Sequence, residues 1–290
     1  MKLILKFNLV FIAVFLIGLG AAGYVSNQLL QGNAREEILQ NARLVMETSL
    51  STRTYTSSQV GPLLATQMKY QFLPQSVPAY SATEVLNGLK KNFPEYAYKE
   101  ATLNPTNPRN RAVDWEADIV NQFRGGSDRT EIVGERDTPT GRSLYIARPI
   151  RIGNAACLTC HSTVDAAPKT LVDRYGPANG FGWQLNEVVG AQVVSVPTDV
   201  PIQRATAAYR TFMVSLTVVF LLIGLALNLM LYAMVIRPVS RLSRLADQVS
   251  MGNMEVPDFG VSSRDEIGVL ADSFNRMKKS LVQAMKMLEE

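Results

Sequence analysis

Two uncharged apolar runs constrain this chain more than anything else in it. The first is FNLVFIAVFLIGLGAAGYV, residues 7–25, and the second is TFMVSLTVVFLLIGLALNLMLYAMVI, residues 211–236. At about 1.5 Å of rise per helical residue the first reaches about 28 Å, close to the thickness of a bilayer's hydrocarbon core. The second is longer and fits with a modest tilt. The opening MKLILK is like the charged start of a secretion signal, but its apolar run is long for one and AAGYVS is a poor A-x-A cleavage site. The first run therefore reads as a retained membrane helix. The chain is 47% apolar, with that character concentrated in these blocks, and ordinary globular sequence lies between and after them.

Basic residues set the expected orientation. Lys2 and Lys6 flank the first run, and Arg237, Arg241 and Arg244 follow the second. The positive-inside rule then puts both ends in the cytoplasm and exports what lies between. The expected organisation is an N-terminal membrane helix (1–25), an exported domain (26–208), a second membrane helix (209–236) and a cytoplasmic tail (237–290). The net charge of +4 comes largely from these flanking residues. No basic stripe interleaved with aromatics is present, so nucleic acid is not an expected partner. Within the runs, Gly18 with Ala22 and Gly224 with Asn228 share helix faces where two spans could approach closely.

The tail has helical periodicity. Leu242, Leu245 and Val249 recur at steps of three and four. A polar stretch with Gly252, Pro257 and Gly260 follows, and then Ile267, Leu270, Phe274, Met277, Leu281, Ala284 and Leu288 alternate steps of three and four. That is a coiled-coil seam. One such helix pair cannot bury its seam alone, whereas two copies can form a parallel four-helix bundle. Pro238, Gly252 and DEIG at 265–268 make residues 237–288 resemble a HAMP domain, the relay that follows the last span of many bacterial receptors. The resemblance implies a homodimer with two packing states. No histidine follows residue 161, so the tail carries no phosphoacceptor histidine. The residues after the seam are too few for a cyclase or a methyl-accepting stalk, and a separate cytoplasmic signalling protein is the expected reader.

Between the spans, residues 34–70 read as helix, with Ile38, Ala42, Val45, Val60, Leu63, Leu64 and Met68 as its apolar positions. A second helix is expected in SVPAYSATEVLNGLKKNF, capped near Ser81 or Thr83, and a third over 113–124. Two Asn-Pro pairs in NPTNPRN mark a turn. TEIVGERD, RSLYIARPIRI and EVVGAQVVSVP read as strands. Helices on a small antiparallel sheet give an α+β domain.

The exported segment also carries CLTCH, residues 157–161, which holds both cysteines and the only histidine of the 290 residues. A redox dithiol would sit after a strand in a βαβ pattern, which is missing here. Zinc would need a fourth ligand from a distant carboxylate or a second chain. Covalent haem fits best. Cys157 and Cys160 would form thioethers with the haem vinyl groups, and His161 would be the proximal iron ligand. The expected cofactor is one haem c, on the outer side of the membrane, where such haem is attached in bacteria.

With that motif, YAYKEATLNPTNPRNRAVDWE, ARPIRIGNAACLTCHS and YGPANGFGWQLNEVVGAQVVSVP make the exported domain resemble the c-type haem-binding, PAS-like sensory domains of bacteria. The resemblance implies a PAS-like sheet with long helices leading to the membrane, and a home in the bacterial inner membrane. The haem domain would face the periplasm, or a thylakoid lumen where one exists. It also makes Arg148, Pro149, Tyr175, Phe181 and Trp183 candidates for the haem wall. A cysteine sixth ligand, as in some relatives, is excluded because both thiols are consumed. Met68 is the candidate distal ligand, with Met46, Tyr55 and Lys69 behind it, and an open position would admit a small gas. The function that follows is a transmembrane redox or gas sensor working through HAMP. The alternative is a membrane-anchored electron carrier, which would not need the heptad tail. An enzyme such as a peroxidase would want a distal base, and the chain has no spare histidine.

Overall fold

A computed structural model describes residues 3–126, 129–139, 141–260 and 265–289. Lys2, used above for orientation, lies outside them, as does the side chain of Leu288. The chain divides into two compact units, Gln28–Ala207 and the combination of Met1–Asn27 with Ala208–Glu290.

In the Gln28–Ala207 unit the first element is the C-terminal part of α1, Leu3–Tyr55. No proline precedes Pro62, so nothing breaks this helix early. It does not run on to residue 70 as expected. A π turn occupies Thr56–Val60, then comes α2, Gly61–Leu64, and a 3-10 turn over Gln67–Lys69. Two causes act together. Pro62 removes a backbone donor and crowds the carbonyl one turn back. The hydroxyls of Thr48, Thr52, Thr56 and Ser58 each bond the carbonyl four residues earlier, at 2.8–2.9 Å, which loosens the ladder leading into the turn.

Next come α3, Pro78–Lys90; β1, Ala97–Thr102; α4, Asp114–Arg124; β2, Ile132–Thr138; and β3, Gly141–Arg151. They are followed by α5, Leu158–His161; α6, Lys169–Tyr175; and β4, Val188–Pro197. The α3 helix starts at its proline, which suits a first helical turn, and not at Ser81 or Thr83. Those two hydroxyls bond the carbonyls of Gln75 and Ala79. The strands make an antiparallel sheet ordered β1-β4-β3-β2.

The sheet is covered on both sides. Ala34, Ile38, Ala42 and Met46, four apart on α1, are buried, and the last three pack on Leu144, Ile146, Val194 and Val196. Ile119, Val120 and Phe123 of α4 pack on the opposite face, against Ala101, Ala147, Ala191 and Val193. Central strand β4 is therefore buried on both faces, which explains why VVGAQVV is a nearly unbroken apolar run. This is the α+β architecture expected from sequence.

The other unit begins with the N-terminal part of α1 and continues with α7, Asp199–Leu231; a π turn at Tyr232–Ile236; α8, Arg237–Ser250; and α9, Glu266–Glu289. The helices containing the two apolar runs are long and apolar enough to cross a membrane. Within this unit they meet at specific residues. The Asn8 and Asn228 amides donate to each other at 2.9 and 2.8 Å. The Phe15 and Phe220 rings lie 4.5 Å apart. A Cβ on Gly224 would come within 2.9 Å of the Phe11 ring, so glycine is needed for this approach. Gly18 is not part of it, since a Cβ there would meet nothing within 4 Å among the described residues.

The Asn8–Asn228 pair yields a first prediction. Asn228→Leu should weaken the pairing of the two spans by about 0.6–1.7 kcal/mol, the range for hydrogen bonds between membrane helices. Disulfide trapping between cysteines placed at Phe15 and Phe220 would measure it, and an unchanged yield would count against the pair as a clamp.

In the tail, Leu242 and Val249 of α8 bury against Ala271 and Phe274 of α9, and Val256 and Phe259 from the connection complete the cluster. The Asp265 carboxylate caps α9 by accepting from the Ile267 and Gly268 amides, both at 3.0 Å. Leu270, Met277 and Leu281 of the expected seam are 47%, 59% and 43% exposed.

Candidate functional site

CLTCH lies in the segment between β3 and α6. Asn154 opens it, its side-chain oxygen accepting from the Ala156 amide at 2.8 Å. A 3-10 turn over Ala155–Cys157 runs straight into α5. Side chains three and four apart on such a turn share a face, so Cys157 lies one turn before both Cys160 and His161. Both thiols are free and half-buried. Burial pushes the Cys160 thiol pKa up, and Cys157 adds to it.

His161 is held from two directions. Its Nδ1 lies 2.7 Å from the Gly180 carbonyl oxygen and 3.5 Å from Thr106 Oγ1. A carbonyl only accepts, so Nδ1 carries the proton and Nε2 keeps its lone pair. The ring stacks on Trp183, with centroids 3.9 Å apart and planes 16° from parallel. Two backbone bonds lock this loop to the turn: Trp183 N donates to His161 O at 3.1 Å, and Gly182 N to Ser162 O at 2.8 Å. Burial lowers the His161 pKa against the opposing pull of the Gly180 bond, which keeps the imidazole neutral at neutral pH. A neutral imidazole with a free Nε2 is ready to ligate a metal.

The alternatives to haem find little support in this geometry. Among the described residues no group of three or more His, Cys, Asp or Glu side chains converges on a point, so no tetrahedral zinc set is assembled. The sheet is antiparallel throughout, so CLTCH does not follow a strand of a parallel βαβ unit.

The other residues singled out from sequence are scattered. Trp183 is in contact with His161, as above. Arg148 is committed to two carboxylates, Glu47 at 2.6 Å and Glu131 at 3.1 Å, which ties α1 to the sheet. Pro149 lies in β3 opposite Ala191. Tyr175 ends α6 and meets Phe72 edge-on at 5.6 Å. The Phe181 carbonyl accepts from Asn104. Met68 is not on the long helix but on the 3-10 turn beyond it, where its sulfur accepts from the Leu73 amide at 3.0 Å and from Ser76 Oγ at 3.3 Å. Met46 is fully buried in the core, while Tyr55 and Lys69 are exposed.

Sequence reasoning missed a polar chain on the α1 side of the sheet. Arg53 of α1 is ion-paired with Glu100 of β1, whose side chain is 3% exposed. Tyr98 donates to Glu100 Oε1 at 2.8 Å, and Gln192 of β4 donates to the Tyr98 oxygen at 3.1 Å. Burial works against the Arg53 charge, but Glu100, with smaller contributions from Tyr98 and Cys157, holds the guanidinium pKa above its usual value. Burial, then Glu100, likewise raises the Tyr98 pKa, so the phenol stays protonated. AYKEAT does not alternate in burial along the strand, so Glu100 carried no periodic signal.

Comparison with known proteins finds matches over two parts of the chain. The Tll0287-like family model matches residues 31–197, and the HAMP domain model matches residues 230–283. A sensory transducer protein of Acetivibrio thermocellus is 33% identical over 87 residues, which is 30% of this chain and 15% of that protein. The chain thus spans about 15% of that relative's length. Among solved structures, that of the cyanobacterial heme-protein Tll0287 aligns with a TM-score of 0.43 and 16% identity, covering 56% of this chain and 95% of the other.

Proposed function

The chain belongs to the Tll0287-like family and carries a HAMP domain, and on that premise we propose that it is a transmembrane sensor holding one covalent haem c. Cys157 and Cys160 are the tethering thiols and His161 Nε2 is the proximal ligand. The observation that carries this reading is the His161 geometry: a neutral ring with Nδ1 engaged by Gly180 O at 2.7 Å and Nε2 without a hydrogen-bond partner among the described residues, one and four residues after two free thiols. When bound, haem iron supplies one-electron exchange or an open position for a small gas. The half-burial of the turn limits water there, and Trp183 holds the imidazole plane.

The unit is exported, on the basic flanks of the two runs, with the HAMP domain in the cytoplasm. Two elements support a relay. One helix, α1, runs from Leu3 to Tyr55, and β4 is followed directly by α7 at Asp199. The exposed Leu270, Met277 and Leu281 offer a seam to a second copy, and a homodimer in two packing states would signal to a separate cytoplasmic protein. A coupling of about 1–3 kcal/mol between haem state and bundle state is enough. The HAMP match weighs against a simple electron carrier, which has no use for a relay.

The test has two parts. Protein expressed with cytochrome c maturation machinery should keep its pigment in acidified acetone, and its oxidised, reduced and carbon-monoxide spectra should report spin state and ligand access. Cysteines introduced at Met277 should then cross-link between copies with different yields in oxidised and reduced membranes. A redox-independent yield together with a gas-independent one would refute signalling through the tail.

A further inference from the structure

We propose that Asn104 and Thr106, in the NPTNP turn, are positioning residues for His161: through Gly180 they set the hydrogen bond at Nδ1 and thereby tune the potential of the iron at Nε2. The inference rests on the haem reading above. The turn lies more than fifty residues before His161 in the chain, yet it brackets the one carbonyl that holds the ring. Asn104 Oδ1 accepts from the Gly180 amide at 3.3 Å, and Asn104 Nδ2 donates to the Phe181 carbonyl at 3.4 Å. These two bonds flank the peptide that contains the Gly180 carbonyl and fix its plane.

Thr106 closes the other side. Gly180 is buried, with φ at +88°, and a Cβ there would come within 2.0 Å of Thr106 Oγ1 and 2.8 Å of Thr106 Cα. Only glycine tolerates both the left-handed backbone and the approach. Pro105, between the two, is buried and has a restricted φ, which limits how far Asn104 and Thr106 can move relative to each other. The result is a peptide clamped from both sides, its oxygen 2.7 Å from Nδ1.

The clamp has an electronic consequence. A partner on the outer nitrogen of a ligating histidine fixes ring orientation and raises ligand basicity. A more basic imidazole stabilises the oxidised iron and lowers the potential; outer-partner hydrogen bonding is one of the recognised means of setting it. Loosening the clamp lengthens the Nδ1 bond and should raise the potential.

The experiment is an equilibrium redox titration of full-length haem-loaded protein, with bound haem counted by its pyridine complex. Asn104→Ala should titrate at a higher potential than the parent with the same haem content. Arg109→Ala is the control. That residue is on the same loop but bonds Glu84 at 2.5 Å and lies over the Tyr80 ring at 4.8 Å, so its loss should leave the potential unchanged. Thr106→Val removes the hydroxyl at nearly constant volume and should shift the potential in the same direction as Asn104→Ala, by less. It carries the test alone if Asn104→Ala does not accumulate. A parent-like potential in the tested variant, or an equal shift in Arg109→Ala, overturns the proposal. A parent whose pigment washes out in acidified acetone overturns the haem reading itself, a result separable from the others.

Discussion

Replacing Cys157 and Cys160 together by alanine is expected to abolish all pigment retained by the chain in acidified acetone, while the protein still folds. Both side chains are half-buried on a short turn outside the two core clusters, so truncating them removes little packing. The cost to stability should stay near the range for substitutions away from the core, about 0.5 kcal/mol each. The cofactor, by contrast, loses both of its proposed covalent attachments. Each single variant should keep one thioether, with a displaced absorption band, and intact mass should show haem on the singles and none on the double. An unchanged holo mass in the double variant would falsify thioether attachment at this motif. His161→Ala separates the two roles: the chain should still carry haem by mass but lose the spectrum of the parent's coordination.

The second large effect concerns the fold. Arg53→Met should cost about 3–5 kcal/mol, the usual penalty for removing one partner of a buried ion pair. Glu100, 3% exposed, would lose its ion-pair partner and, among the described residues, retain the Tyr98 hydroxyl as a hydrogen-bond donor. Against a typical total stability of about 5–15 kcal/mol, that is a large share. The exposed Arg35–Glu135 pair is a contrast, because Arg35 is 74% exposed and water already screens it. Both tryptophans, Trp115 and Trp183, lie in the Gln28–Ala207 unit, so urea unfolding followed by fluorescence reports on that unit in the full chain. Arg53→Met combined with Glu100→Met should recover most of the loss, since an apolar pair leaves no stranded charge. A single variant as stable as the parent would mean that Glu100 finds water or another partner.

How much was legible beforehand depended on whether the cause was local. The membrane runs, the heptads and strands β2 to β4 could be read because period and length alone define them. β1 could not. Lys99 and Glu100 look wrong for a covered strand until their partners are seen, and those partners, Glu116 at 2.6 Å and Arg53, come from α4 and α1. The long helix was read past its true end because the apolar positions continue beyond Tyr55, whereas the hydroxyl run and Pro62 act on the backbone. Met68 lost its place on that helix for the same reason.

The site divides in the same way. The sequence alone determined which atoms could meet a haem, because on any helical turn the first thiol lies one turn before both the second thiol and the imidazole. It also determined, through the lengths of two apolar runs, that the chain holds two helices long and apolar enough to cross a membrane. Only the tertiary structure decided which nitrogen of His161 is free and what holds its ring. Those answers come from Gly180, Trp183, Asn104 and Thr106, which are distant in sequence and are brought together by the packing of loops around the sheet. Hydrogen bonds between distant segments leave no periodic trace in a sequence, since their residue types are set by a neighbour that the fold, and not the local chain, supplies.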